Sequence, residues 1–171
     1  MEKEKCPERL FKIYSKVYSS ARLENLLRAI DIVAVLLVVS IFGVCAYMAF
    51  ADSVYDGVLF LVLSAVPFAV VTVMRHVISS PRPYEVYDLE FLVGKRPHYK
   101  MGRSFPSRHV FSAFLIGVIA FRYLWPLGAA VLAIGVILAA IRTILGIHFL
   151  KDVVCGAIIG VLSGIISIII L

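Results

Sequence analysis

The sequence predicts an all-α, integral-membrane helical bundle, and three features carry that prediction. Of its 171 residues 61% are hydrophobic and only 16% are charged, more apolar surface than a soluble domain of this size can hide. The apolar residues fall in five long runs divided by short turns and one long polar loop. Sixteen of the seventeen Lys and Arg residues fall on one side of the resulting topology. About five transmembrane helices are expected, preceded by an N-terminal amphipathic interfacial helix.

The runs are Ala29–Ala51 and Val54–Met74, each with one charge (Asp31 and Asp56), then His109–Phe121, Leu124–Ile141 and Val153–Leu171, which have none. A hydrocarbon core of about 30 Å needs about 20 helical residues, so each run is a candidate span. The third reaches that length only if Pro106–Arg108 and Arg122–Trp125 are included, with both arginines snorkelling. Residues 1–28 are charged rather than apolar, unlike a cleavable signal. Cys6, Cys45 and Cys155 match no metal or disulfide spacing.

Two units are expected, an amphipathic segment over 1–28 and a membrane domain over 29–171. Within the first, Leu10, Phe11, Tyr14, Val17, Tyr18 and Ala21 recur at helical spacing, with Glu8, Arg9, Lys12 and Lys16 on the other face. The loop over 79–105 contains Pro81, Pro83, Pro97, Gly94 and Gly102 and cannot form one regular helix. Loops of this length in compact chains are usually functional. Five crossings place the N-terminus, this loop and the 142–152 connection on one face. The positive-inside rule then puts that face in the cytoplasm, with cell-membrane localisation expected.

The same face collects the polar residues beside the spans. Arg75 closes the second run, Arg82-Pro83 follows, Pro106-Ser107-Arg108-His109 opens the third, and Arg142, His148 and Asp152 bracket the gap between the last two. Arginine offers a permanently charged fork that clamps phosphate. A helix start at Ser107 presents orphan amides to an anion. His148 and Asp152, four apart, would share a helical face, so that the carboxylate orients the imidazole for nucleophilic or base chemistry. His109 adds a second imidazole for proton transfer. Each has a plainer reading: His109 as a cap, the arginines as interfacial snorkels, His148 and Asp152 as a structural pair or half a metal site. No third ligand stands at zinc spacing, so no metal is expected. His76 reads as interfacial packing and His98 as solvated.

The ordered set Arg75-(six residues)-Arg82-Pro83, Pro106-Ser107-Arg108-His109 and Arg142-(five residues)-His148-(three residues)-Asp152 resembles the three-part signature of the type-2 phosphatidic acid phosphatase superfamily. The resemblance covers residues 75–152. It departs from the family pattern at Arg75, usually Lys, at Arg108, usually Gly, at Ile141, usually Ser, and in five spans rather than six. The Pro-Ser-Arg-His variant is similar to presqualene and polyisoprenoid diphosphate phosphatases.

The resemblance implies a metal-independent, cofactor-free lipid phosphatase. In it Arg75, Arg82, Ser107, Arg108 and Arg142 would bind phosphate, His148 would become a phosphohistidine, Asp152 would orient His148, and His109 would serve the leaving oxygen. The implied partner is a membrane lipid, with an isoprenoid diphosphate favoured, and no nucleic acid. Phosphatidic acid or phosphatidylglycerophosphate hydrolysis, lipid phosphotransfer, and a catalytically dead membrane scaffold stay open.

Overall fold

The structure, a computed structural model, describes residues 4–87, 89 and 102–171. Their helices are α1 (Glu8–Tyr18), α2 (Ala21–Asp52), α3 (Val54–Ile78), the single turn α4 (Pro83–Val86), α5 (Arg108–Ala120), α6 (Trp125–Ile144) and α7 (Leu150–Ile170). Helices α2, α3, α6 and α7 are long and apolar enough to cross a membrane, and α5 is a shorter apolar helix. Together they make the expected five-membered bundle. His98 and most of the basic loop fall outside the described residues.

The N-terminal segment divides earlier than its amphipathic pattern suggests. Ser19 closes α1, and the Ser20 side chain caps α2 by accepting from the Leu23 amide at 3.4 Å. Residues 21–28 are therefore the first two turns of α2. That helix has 32 residues, about 48 Å at 1.5 Å per residue, so it outreaches the apolar core at one end. Helix α1 buries Tyr14 and Val17 but exposes Phe11 and Ile13. Val17 packs with Ile141, Leu145 and Ile147, and the Tyr18 hydroxyl donates to the Leu145 carbonyl at 2.9 Å. The amphipathic helix thus clasps the loop between α6 and α7.

Ser53 alone joins α2 to α3. Its hydroxyl accepts from the Asp56 amide at 3.0 Å and donates to the Asp56 carboxylate at 2.7 Å. Asp56 is a capping residue at a helix start, not a charge in mid-membrane. Apolar side chains such as Ile32, Leu36 and Val73 are about 60% exposed, as expected where the neighbour is lipid.

Helix α5 is the centre of the bundle. Eight of its 13 residues are buried, and it packs chiefly on α7 and α6. At about 20 Å it is too short to span the apolar core by itself, and the longer helices around it remove the need. Its contact with α7 runs along Gly156, Gly160 and Gly164. A Cβ at these positions would lie 2.6 Å from the Ser107 carbonyl oxygen, 2.5 Å from that of Phe111 and 2.6 Å from the Val118 Cβ, respectively. A seam of small residues is how membrane helices gain close backbone packing where no hydrophobic drive operates.

Gly160→Ala should therefore lower stability by about 1–3 kcal/mol through overpacking. Gly43, whose Cβ would meet nothing within 4 Å, should tolerate Gly43→Ala or gain up to about 1 kcal/mol from helix propensity. Thermal unfolding of both variants in detergent checks the contrast; equal shifts would remove the seam as a packing constraint.

Candidate active site

The charged residues named from sequence converge at one end of the bundle, and each is fixed by a different local device. Arg75, in the last turn of α3, is only 7% exposed. Its Nη1 donates to the Pro106 carbonyl at 2.6 Å and to that of Ser104 at 3.3 Å, tying α3 to the entrance of α5. Arg82 is the residue before α4, which Pro83 starts at a position where proline suits a helix. Glu85 holds that turn by accepting from the Arg82 amide at 2.9 Å and the Gly102 amide at 2.8 Å.

Arg142 lies in the last turn of α6, and its Nη2 donates to the Asp31 carboxylate of α2 at 2.8 Å. Both side chains are well buried, at 8% and 16% exposure. Asp31 was visible in the sequence only as a charge near a span end, and nothing in the spacing linked it to a residue 111 positions away. The Arg142 carbonyl accepts from the amides of both Ile147 and His148, at 3.0 and 3.2 Å. Gly146 makes this reversal possible with φ +64°.

His148 and Asp152 do not share a helical face. His148 is in the loop, and α7 begins at Leu150, so a turn rather than a helix brings them together. The carboxylate Oδ2 lies 3.6 Å from His148 Nδ1, beyond hydrogen-bond reach. It accepts instead from the Phe149 amide at 2.9 Å and the Ser104 hydroxyl at 2.5 Å, while Ser104 Oγ lies 3.2 Å from His148 Nδ1. Sequence reasoning missed Ser104; its only signal is a position two residues before the Pro106 motif. Burial, with the Arg82 and Arg142 charges, pushes the His148 imidazole down to about 4 against the opposing pull of Asp152, so it is neutral at pH 7.

Ser107 is the residue before α5, as expected. Its amide is spent on the Asp152 carbonyl at 3.0 Å, not left for an anion. Its hydroxyl is buried and has no hydrogen-bond partner among the described residues. Arg108 is half-buried with its guanidinium carbon 5.8 Å from the Phe68 ring centre. His109 is exposed, and His76 sits outside the cluster, exposed, with Nδ1 2.7 Å from the Thr72 carbonyl oxygen.

A polar cavity occupies this end, and an apolar one runs from it into the bundle. The polar one, of about 350 Å³, is lined by Arg75, Arg82, Arg108, Arg142, His109 and His148, with Arg28 and Asp31 supplied by α2. The apolar one, of about 550 Å³, lies between α2, α3 and α5, with Phe42, Leu61, Phe68 and Leu115 in its wall. Arg108 and His109 line both. Val39, Leu61 and Phe68 of the apolar cavity are also exposed on the outside of the bundle.

A lipid-facing bundle with an arginine-lined, histidine-bearing cavity at one end is that of a multi-pass membrane protein with a positively charged cavity. The family model of the PAP2 superfamily matches residues 56–171, and the chain belongs to that superfamily. No curated protein matches it by sequence. Among solved structures it is similar to LpxE of Aquifex aeolicus, at 20% identity over 98% of this chain and 99% of that one, with a TM-score of 0.67. It is also similar to a transmembrane PAP2-type phosphatidylglycerolphosphate phosphatase of Bacillus subtilis, at 20% identity over 95% and 94%, with a TM-score of 0.53. Arg28 and Asp31 lie outside the stretch that matches the family.

Asp31→Asn should remove the ion pair that ties Arg142 to α2. A hydrogen bond to a charged group contributes about 1.5–3 kcal/mol, and thermal unfolding in detergent should show a loss of that order. A loss under about 0.5 kcal/mol would mean that α2 does not hold Arg142.

Proposed function

We propose that the protein is a lipid phosphatase that removes a phosphoryl group from a lipid phosphate or diphosphate through a phosphohistidine at His148. The observation that carries this reading is the meeting of the polar and apolar cavities at Arg108 and His109. One molecule with an anionic head and a hydrocarbon tail can fill both, sliding in between α2 and α3 from the bilayer. Family membership supports the phosphatase chemistry, and the similar Bacillus subtilis protein is a phosphatidylglycerolphosphate phosphatase.

In the proposed reaction Arg75, Arg82 and Arg142 surround the phosphoryl oxygens, and the Ser107 hydroxyl is a donor in reserve behind them. The neutral His148 attacks phosphorus through Nε2, since Nδ1 is turned to Ser104. The bond from phosphorus to the leaving oxygen breaks as His109, protonated when the anionic substrate binds beside it, hands that oxygen a proton. His109 then takes a proton from water, which attacks the phosphohistidine, releases inorganic phosphate and restores His148. The arginines stabilise the charge on the equatorial oxygens. Among the described residues no three His, Cys, Asp or Glu side chains cluster as metal ligands would, and the arginines fill the neutralising role.

A diphosphate, of isoprenoid type, is the favoured head group. Beyond the three motif arginines the polar cavity also holds Arg108 and Arg28; Asp31 and Glu24 offset part of this charge by pairing with Arg142 and Arg28, and Arg108 is the added cation that suits a second phosphate. The site face is assigned to the cytoplasm on the distribution of Lys and Arg.

His148→Ala should abolish phosphate release in detergent, whereas wild type should work in excess chelator and yield alkali-stable phosphohistidine. Turnover of the variant within about tenfold of wild type would rule out the covalent route. The limb of kcat/KM due to His148, corrected for substrate ionisation, should be full at neutral pH and lost as pH falls through about 4. A limb near 6.5, the ordinary histidine value, would contradict the buried neutral imidazole.

Arg108→Gly should reduce activity on isoprenyl diphosphates about ten- to hundredfold more than on the matching monophosphates. Equal losses would leave the substrate as a lipid phosphate without preference. For sidedness, Cys6 packs near Tyr14 and Leu89 at the site end and is only partly buried. A membrane-impermeant thiol reagent should reach it in inside-out vesicles and not in intact cells, with Cys6→Ser as control; labelling from outside would reverse the orientation.

A further inference from the structure

We propose that Ser104 is a positioning residue that sets the tautomer of His148 by bridging it to Asp152. Ser104 is fully buried and does not line the polar cavity. Its backbone is fixed on both sides: its amide donates to the Ser80 carbonyl at 2.8 Å, and its carbonyl accepts from Arg75 Nη1 at 3.3 Å. The hydroxyl is thereby aimed between the histidine and the carboxylate.

A serine hydroxyl has one proton to give. Its contact with Asp152 Oδ2 is 2.5 Å, the length of an O–H bond donated to a charged carboxylate. That oxygen also accepts from the Phe149 amide at 2.9 Å, which further identifies it as an anionic acceptor. With its proton committed to Asp152, Ser104 Oγ can only accept from His148 Nδ1, 3.2 Å away. Nδ1 must then carry the imidazole proton, and the lone pair is on Nε2. Asp152 lies 3.6 Å from Nδ1, too far to do this directly. The carboxylate thus acts on the nucleophile through a hydroxyl from the segment just before α5. Ser104 connects all three pieces of the signature: Arg75 through its carbonyl, the entrance of α5 through the chain, and the His148–Asp152 pair through its hydroxyl.

The consequence for catalysis rests on the proposed attack by His148 Nε2; the bridge itself does not. The test begins with wild-type protein labelled with ¹⁵N-histidine in detergent at pH 7, with His148→Gln used to assign the signal. His148 should show a protonated Nδ1 and an unprotonated Nε2. The reverse tautomer would overturn the bridge, and this measurement stands even if a variant fails to fold. In Ser104→Ala, kcat should fall about ten- to hundredfold while KM stays within about twofold, and the Nδ1–H form should lose population. In an Asp152→Asn background the same substitution should add less than about threefold, because both changes cut one chain. A kcat within twofold of wild type, an unchanged tautomer, or full additivity would each refute the proposal. Failure to trap phosphohistidine would count against the nucleophile and leave the bridge to be decided by the spectrum.

Discussion

Several arginines brought together at the end of a membrane-embedded bundle repel one another, and burial removes the water that would screen them. The rest of the architecture follows from how that charge is held. Arg75 is pinned by two carbonyl oxygens of the segment before α5, Arg142 by the Asp31 carboxylate on α2, and Arg108 rests over the Phe68 ring of α3. Each anchor belongs to a different part of the chain from the arginine it holds. The positive cavity therefore exists only when the helices are assembled.

Precision comes from the glycine seam. With α5 and α7 in backbone contact, the Ser107 amide reaches the Asp152 carbonyl at 3.0 Å, and the start of one helix is locked to the start of the other. His109 and the Ser104 hydroxyl ride on the first helix and its approach, and Asp152 rides on the second. Distances between them are set by main chain rather than by flexible side chains, the arrangement a preorganised site requires. Helix α1 adds a clasp from outside, with Tyr18 on Leu145 steadying the loop that carries His148.

The spans and the signature were legible because both are local. A run of about 20 apolar residues announces a crossing by itself, and Arg82-Pro83 or Pro106-Ser107-Arg108-His109 is read without knowing its neighbours. The helix break at Ser19–Ser20 was also local but hidden, since the amphipathic pattern continues across it while a single capping serine divides it. Asp31 and Ser104 were illegible for a different reason. An aspartate at the edge of an apolar run and a serine in a polar loop have ordinary positions, and their meaning lies in partners 111 and 48 residues away. The expectation that His148 and Asp152 share a helix face failed because spacing of four is equally compatible with a turn feeding a helix.

The shortness of α5 has a consequence for the turn that follows it. The helix ends at Ala120, and the chain turns through Phe121–Leu124 before α6 begins, near the level of Phe60 on α3, which stacks edge-on with Tyr123. Phe60 stands six residues inside the start of α3, about 9 Å along its axis. The turn carries Arg122 among apolar neighbours, with Phe121, Leu124 and Trp125 all exposed. A long arginine side chain can snorkel from there to the interface while its stem stays in the apolar layer. The chain can therefore turn back within the length of its neighbours, with Tyr123 and Leu127 packed against Cys45, Ala49 and Phe60 of the longer helices.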